Sequence, residues 1–165
     1  MLIVFGGLPG TGKTTTSRLV ASRLEATYLR IDTIEQAIRN AGVLAGDVGP
    51  SGYAVAQAIA EANISDGRVV VADCVNPVAA SRLGWRAVAT CTASLLVEVE
   101  VICSDIDEHR RRVTMRRADI PSHILPSWEM VANLDFEPWD RPRLVIDTAR
   151  YSPAEAADAV IRTLM

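Results

Sequence analysis

Short, nearly unbroken apolar runs alternate along the chain with longer stretches in which apolar residues recur every three or four positions. The runs are residues 1–5 (MLIVF), 27–31 (TYLRI), 68–73 (RVVVAD), 95–103 and 143–147 (RLVID). A short run without a polar face predicts a strand buried on both sides, as in a parallel sheet between helical layers. The periodic stretches predict helices over residues 13–26, 33–41, 53–66, 77–93, 105–117, 128–133 and 153–164, with a turn-rich stretch at 42–52. Ser152-Pro153-Ala154-Glu155 combines a capping box with proline at the first helical position, so the last helix starts there. Five strands with intervening helices predict an α/β fold: a five-stranded parallel sheet with helices on both faces. Residues 105–142 stand apart. They are charged, carry Pro121, Pro126, Pro138 and Pro142, and read as a lid or insertion over one end of the sheet.

Composition narrows the classes. The 165 residues suit one domain, 1–165, and a net charge of −3 gives no support for a general nucleic-acid binder. Cys74, Cys91 and Cys103 match no zinc or redox spacing and read as buried thiols of a reducing cytoplasm. The first apolar run is too short for a signal peptide, and no stretch reaches membrane-spanning length. The expectation is a soluble, cytoplasmic protein.

The first strand runs straight into Gly7-Leu8-Pro9-Gly10-Thr11-Gly12-Lys13-Thr14, a full G-x-x-x-x-G-K-[ST] motif, with Thr15 behind it. Glycines allow successive backbone N–H groups to turn inward onto phosphate oxygens, and the helix that follows points its positive end at the same anion. Lys13 is expected at the β- and γ-phosphates, Thr14 at Mg²⁺ and Thr15 at the α-phosphate. The nucleotide expected is ATP, since no N-K-x-D guanine-reading motif is evident.

Three strands end in aspartate, at the sheet edge where ligands of such folds gather. Asp73 ends a run of small apolar residues and is a candidate Mg²⁺ carboxylate; otherwise it is a turn or capping residue. Asp32, nineteen positions after Lys13, either accepts the proton of an acceptor hydroxyl or caps the helix beginning at Thr33. Asp147 belongs near the adenine or to a plain turn.

Arg110, Arg111, Arg112, Arg116 and Arg117 crowd one predicted helix. Arg112 and Arg116 share a face and are the first candidates for neutralising a transferring phosphoryl group, the alternative being a solvated charged face balanced by Asp105, Asp107 and Glu108. Ile106 and Val113 mark a separate apolar stripe. Residues 42–53 and 119–140 are expected to line an acceptor pocket, with Tyr53 and the tryptophans Trp85, Trp128 and Trp139 either stacking on the acceptor or filling the core. Asn76 either holds the acceptor or caps the helix at Pro77.

Taken together, GGLPGTGKTT, RIDTIEQ, VVVADCVNP and EHRRRVTMRRAD resemble the small P-loop kinases of the zeta-toxin, polynucleotide-kinase and chloramphenicol-phosphotransferase type, a group that includes AAA-domain proteins. The resemblance covers nearly the whole chain. It implies a P-loop NTPase sheet in the order 2-3-1-4-5 with a helical lid, and transfer of the γ-phosphoryl group of Mg·ATP to a hydroxyl. The family's acceptor-activating aspartate falls on Asp32, and its lid arginines fall among residues 110–117. One position departs. Polynucleotide kinases of the group carry an arginine three residues after that aspartate, whereas this chain has Glu35, with Arg39 one turn further on.

The expected function is therefore an ATP-dependent kinase acting on a small hydroxyl compound, with nucleic acid an unlikely partner. The alternatives are a polynucleotide or nucleoside 5′-kinase, and a nucleotide-binding regulator with slow hydrolysis.

Overall fold

The computed structural model describes residues 1–43 and 46–164. Its strands are β1 (Leu2–Gly6), β2 (Thr27–Arg30), β3 (Val70–Asp73), β4 (Leu96–Ile102) and β5 (Leu144–Asp147). Its helices are α1 (Lys13–Arg23), α2 (Ile31–Asn40), α3 (Ser51–Ser65), α4 (Ala79–Cys91), α5 (Ile106–Met115), α6 (Trp128–Ala132) and α7 (Pro153–Arg162). The strands form one parallel sheet in the order β2-β3-β1-β4-β5. The expected sheet is thus present, strand for strand.

β1 shows why its run has no polar position. Alternate side chains of a strand point to opposite faces. Leu2 and Val4 join the core under α3 and α4, packed with Ala56, Ala60, Trp85 and Val88. Ile3 and Phe5 join the core under α1 and α7, packed with Val20, Ala156 and Val160. A polar residue anywhere in β1 would meet apolar neighbours. The register then aligns the strand ends, with Phe5 and Arg30 both opposite Asp73. The loop after β1, the carboxylate of Asp73 and the start of α2 consequently share one edge of the sheet.

Several boundaries differ from the sequence expectation. α1 stops at Arg23, and Glu25 takes φ +50° in the turn that follows. α2 begins at Ile31, so Asp32 sits in the first helical turn rather than at the end of a strand. α4 begins at Ala79 with Val78 as its N-cap, not at Pro77. Asn76 instead takes φ +55°, fully buried, and breaks the chain direction between β3 and α4. Ile106 is exposed, so the inner face of α5 is made by His109 and Val113.

Residues 136–140 are held to α4 by two arginines. Arg82 is wholly buried and donates to the carbonyls of Asn76, Pro77, Glu137 and Pro138, with Trp139 4.4 Å above its guanidinium. Arg86 forks onto Asp140 at 2.8 and 2.9 Å and also reaches Glu98 on β4. Arg86 holds the Asp140 carboxyl at about 2. No helix among the described residues is long and apolar enough to cross a membrane.

Candidate active site

The glycine loop is forced into shape by what surrounds it. Gly7 has φ +136°, and a Cβ there would lie 2.2 Å from the Val101 carbonyl oxygen. Gly10 has φ +85°, and a Cβ there would lie 2.5 Å from a methyl of Val113 on α5. Only glycine meets both demands at these points. From α5, His109 also donates from Nε2 to the Pro9 carbonyl at 2.8 Å, its ring edge-on to Trp128. From the other side, the Thr148 hydroxyl donates to the Thr11 carbonyl at 2.7 Å. α5 and the turn after β5 thus clasp the loop.

A cleft of roughly 790 Å³ opens beyond the loop. Pro9, Gly10, Gly12, Lys13, Thr14 and Thr15 line it, while Gly7, Leu8 and Thr11 form the backing of the loop. Lys13 is buried and donates from Nζ to the Leu8 carbonyl at 3.1 Å. Burial pushes its ammonium below the usual lysine range, partly offset by the carboxylates of Asp73 and Asp32. Arg116 opposes the same charge.

Asp73 is buried, and its Oδ2 accepts from the Tyr28 hydroxyl at 2.7 Å. Burial and the neighbouring Asp73 charge raise the Tyr28 phenol. The Thr14 side chain opens into the same cleft. No group of three or more His, Cys, Asp and Glu gathers to hold a metal among the described residues. One carboxylate and one hydroxyl beside a phosphate loop still fit Mg²⁺, which keeps water and takes the rest of its ligands from phosphates.

Arg30 is the principal residue the sequence reading missed. It is the last residue of β2, buried, and central to a carboxylate cluster. Its Nη1 donates to Asp119 at 2.7 Å and its Nη2 to Asp32 at 3.3 Å, while Nε lies 3.9 Å from Asp73. Arg30 holds the Asp119 carboxyl at about 2. Arg30 is the N-cap of α2, so Asp32 stands inside the first helical turn and not at the cap position. The local signal was R-x-D at a strand end, but Asp119 lies 89 positions away.

The arginine-rich segment divides. Arg112 and Arg116 both line the cleft, although α5 ends at Met115 and Arg116 is already extended. Arg112 bonds Glu108 at 2.8 Å and the hydroxyl and carbonyl of Thr148 at 2.8 and 3.1 Å. Arg117 also lines the cleft, whereas Arg110 is exposed and Arg111 pairs with Glu108. Arg111 and Arg112 hold the Glu108 carboxyl at about 2. Asp105 is the N-cap of α5, accepting from the amides of Asp107 and Glu108.

The structure decides the alternatives left open for the tryptophans and overturns both of those for Asn76. Trp85 is core, Trp128 packs on His109 and Trp139 on Arg82, so none of the three lines the cleft. Apolar lining comes instead from Tyr53, Ile124, Met130 and Leu134. Asn76 neither faces the cleft nor caps α4, and its side-chain amide has no hydrogen-bond partner among the described residues. Asp147 belongs to the turn before α7, accepting from Ser104 and the Ala149 amide. Of the stretch 42–53, Leu44 and Ala45 lie outside the described residues. A smaller cavity of roughly 450 Å³ lies between the start of α1, Arg112 and residues 148–153.

The sheet order, the loop after β1 and the aligned strand ends define a P-loop NTPase fold of the small kinase-like kind. A family model described as AAA domain matches residues 2–130, and the chain belongs to that family. No curated protein sequence matches it. Among solved structures it is similar to Chaetomium thermophilum Kti12 in complex with ADP-AlF3, at 21% identity and TM-score 0.74 over 100% of both chains. It is similar to Mycobacterium tuberculosis APS kinase CysC in complex with AMPPNP and APS, at 20% identity and TM-score 0.71 over 99% of this chain and 96% of that one. A gluconokinase from Sinorhizobium meliloti 1021 aligns at 19% identity and TM-score 0.64 over 98% of this chain and 91% of that one.

Proposed function

We propose that the chain is an ATP-dependent phosphotransferase that moves the γ-phosphoryl group of Mg·ATP to a hydroxyl of a small molecule. The observation that carries this reading is the meeting of Lys13, Asp32, Asp73 and Arg116 at one cleft, where Lys13 feels the charge of the other three. The neighbours crystallised with ADP-AlF3 and AMPPNP support the nucleotide.

The loop amides receive the phosphates, and the base enters the smaller cavity beside Thr148. Lys13, Arg112 and Arg116 neutralise charge that spreads over the transferring group. Thr14 and Asp73 would hold Mg²⁺, which when bound offsets phosphate charge. The acceptor oxygen forms a bond to the γ-phosphorus, the bond to the ADP oxygen breaks, and the hydroxyl proton passes to Asp32. Residues 105–142 act as the lid of a single kinase domain spanning 1–165.

Asp32→Asn should leave nucleotide affinity intact and cut transfer by about 10²-fold, the scale of a lost general base. The measurement is label transfer from γ-labelled ATP to a panel of hydroxyl acceptors. Undiminished transfer would remove Asp32 from the chemistry.

A further inference from the structure

Arg30 and Arg82 are both buried, and their donors go to different kinds of partner. Arg82 donates to backbone carbonyls alone and so holds one stretch of chain to another. Arg30 bonds no backbone carbonyl through its side chain among the described residues. Its guanidinium meets carboxylates, and all three of them, Asp32, Asp73 and Asp119, border the cleft. A buried guanidinium loses its hydration, and the loss is offset only where its partners are well placed. Here the three arms differ. Nη1 lies 2.7 Å from Asp119 and Nη2 3.3 Å from Asp32. Nε is 3.9 Å from Asp73, beyond hydrogen-bond reach, and has no hydrogen-bond partner among the described residues. The donors of Arg30 are thus committed to the cleft rather than to the frame around it.

Asp119 belongs to the segment after α5. That helix ends at Met115, and Arg116 follows in extended conformation, three positions before Asp119. On its N-terminal side Arg116 is fixed by α5, where His109 bonds the Pro9 carbonyl of the loop. On its C-terminal side the anchor is Asp119, which takes Arg30 from β2 and also Arg18 from α1, at 3.1 Å. Between these two points Arg116 borders the cleft and opposes the Lys13 charge. Asp32 acts on the charge of the same lysine, and its side-chain hydrogen bond comes from Arg30. One flat guanidinium therefore runs from Asp32 to the anchor of Arg116, and its rigid fork fixes the spacing of the two carboxylates.

We propose that Arg30 is a positioning residue for phosphoryl transfer: through its fork to Asp32 and Asp119 it sets the base and Arg116 in register around the transferring group. Nucleotide binding does not draw on this link, because the loop amides and Lys13 hold the phosphates without it. The link acts when charge spreads over the transferring group, which Arg116 neutralises and toward which Asp32 directs the acceptor oxygen. Arg18 steadies the Asp119 end from the helix that follows the loop. The inference rests on the kinase reading for the roles of Asp32 and Arg116.

Mg·ADP with and without aluminium fluoride tests it, because the fluoride complex mimics the transferring group and requires no known acceptor. Calorimetry gives the ADP affinity in both conditions, and their ratio is the gain. The wild type should gain at least about 10²-fold, the lower end for such mimics. Asp119→Ala, at an exposed side chain, should lower the gain by about tenfold through a misplaced Arg116, with ADP affinity alone kept within about twofold. Asp119→Glu should restore part of the gain. Arg30→Lys keeps the charge without the fork and should lose at least as much as Asp119→Ala; its burial puts folding at risk, so Asp119→Ala decides. Arg116→Gln should lose the same gain, and Asp119→Ala added to it should cost little more, since both cut one link. A gain that Asp119→Ala leaves whole overturns the proposal. So does an equal loss in both conditions, which is what a structural role alone produces, and so does a wild type without a gain. Lys13→Ala with undiminished ADP affinity sinks the kinase reading and the proposal with it, whereas the other adverse outcomes sink the proposal alone.

Discussion

The two walls of the cleft are built by different means. The P-loop wall is one continuous stretch of chain, from the end of β1 to the first turn of α1, and its working surface is backbone. The opposite wall is assembled from side chains that meet from far apart, with Arg30 on Asp119, and outside the cleft residues 137–140 are held in the same way by Arg82 and Arg86. A backbone site tolerates most side-chain changes but fails where a Cβ does not fit. A side-chain wall fails wherever one hub is removed.

The largest effect is expected at such a hub. Arg82→Met keeps most of the volume but strips the donor from three backbone carbonyls, those of Asn76, Glu137 and Pro138, while Pro77 keeps the Glu137 amide. Each orphaned carbonyl costs about 1–3 kcal/mol before water enters, so a loss of about 3–5 kcal/mol is expected. Urea unfolding would show it as a lower midpoint with an unchanged slope. A loss under about 1 kcal/mol would mean that residues 136–140 hold their place without this arginine.

Lys13→Ala tests the other wall. Nζ spans the loop to the Leu8 carbonyl and faces the cleft, so its removal takes away the one buried cation within the loop itself. Nucleotide affinity, by calorimetry, should fall by about 10²-fold or more, about 2.7 kcal/mol, with the fold retained. Gly10→Ala should cost less, about 1–3 kcal/mol, from a strained φ and the contact with Val113. Here the damage should appear as α5 lifting off the loop, read from faster amide exchange at His109 and Val113.

The same contrast explains what could be read from the sequence. β1 through Thr15 was legible because every constraint acts on neighbours: an apolar run, then glycines where backbone must turn, then a helix start. The five strands were legible for the same reason. Arg30 was not, although it lies beside Asp32, because its meaning depends on a carboxylate 89 positions later. His109 was passed over among the arginines because its partner, Pro9, is 100 positions away. The tryptophans were ambiguous for a related reason. Their size suits either stacking on a ligand or filling the core, and Trp85 is core while Trp139 covers Arg82. Large aromatic rings bury whatever is nearest, and single-chain pattern carries no record of what that is.

The mildest test falls on the bond that ties Asp119 to β2. The Asp119 carboxyl is held at about 2, below its ordinary 3.8, first by the hydrogen bond from Arg30. A carboxyl depressed by folding stabilises the fold when ionised. Its contribution is complete above the unfolded value, near pH 4, and is lost as pH falls through about 2. The side chain is 41% exposed, so screening keeps the contribution under about 1 kcal/mol. Wild type should therefore exceed Asp119→Asn in stability by a constant margin from pH 7 to about pH 5. That margin should narrow below pH 4. Both proteins lose other ion pairs in acid, so the difference between them, not either curve alone, reports on Asp119. A margin that persists undiminished at pH 3 would assign it to packing or to the neutral hydrogen bond. The wall would then be held by shape as much as by charge.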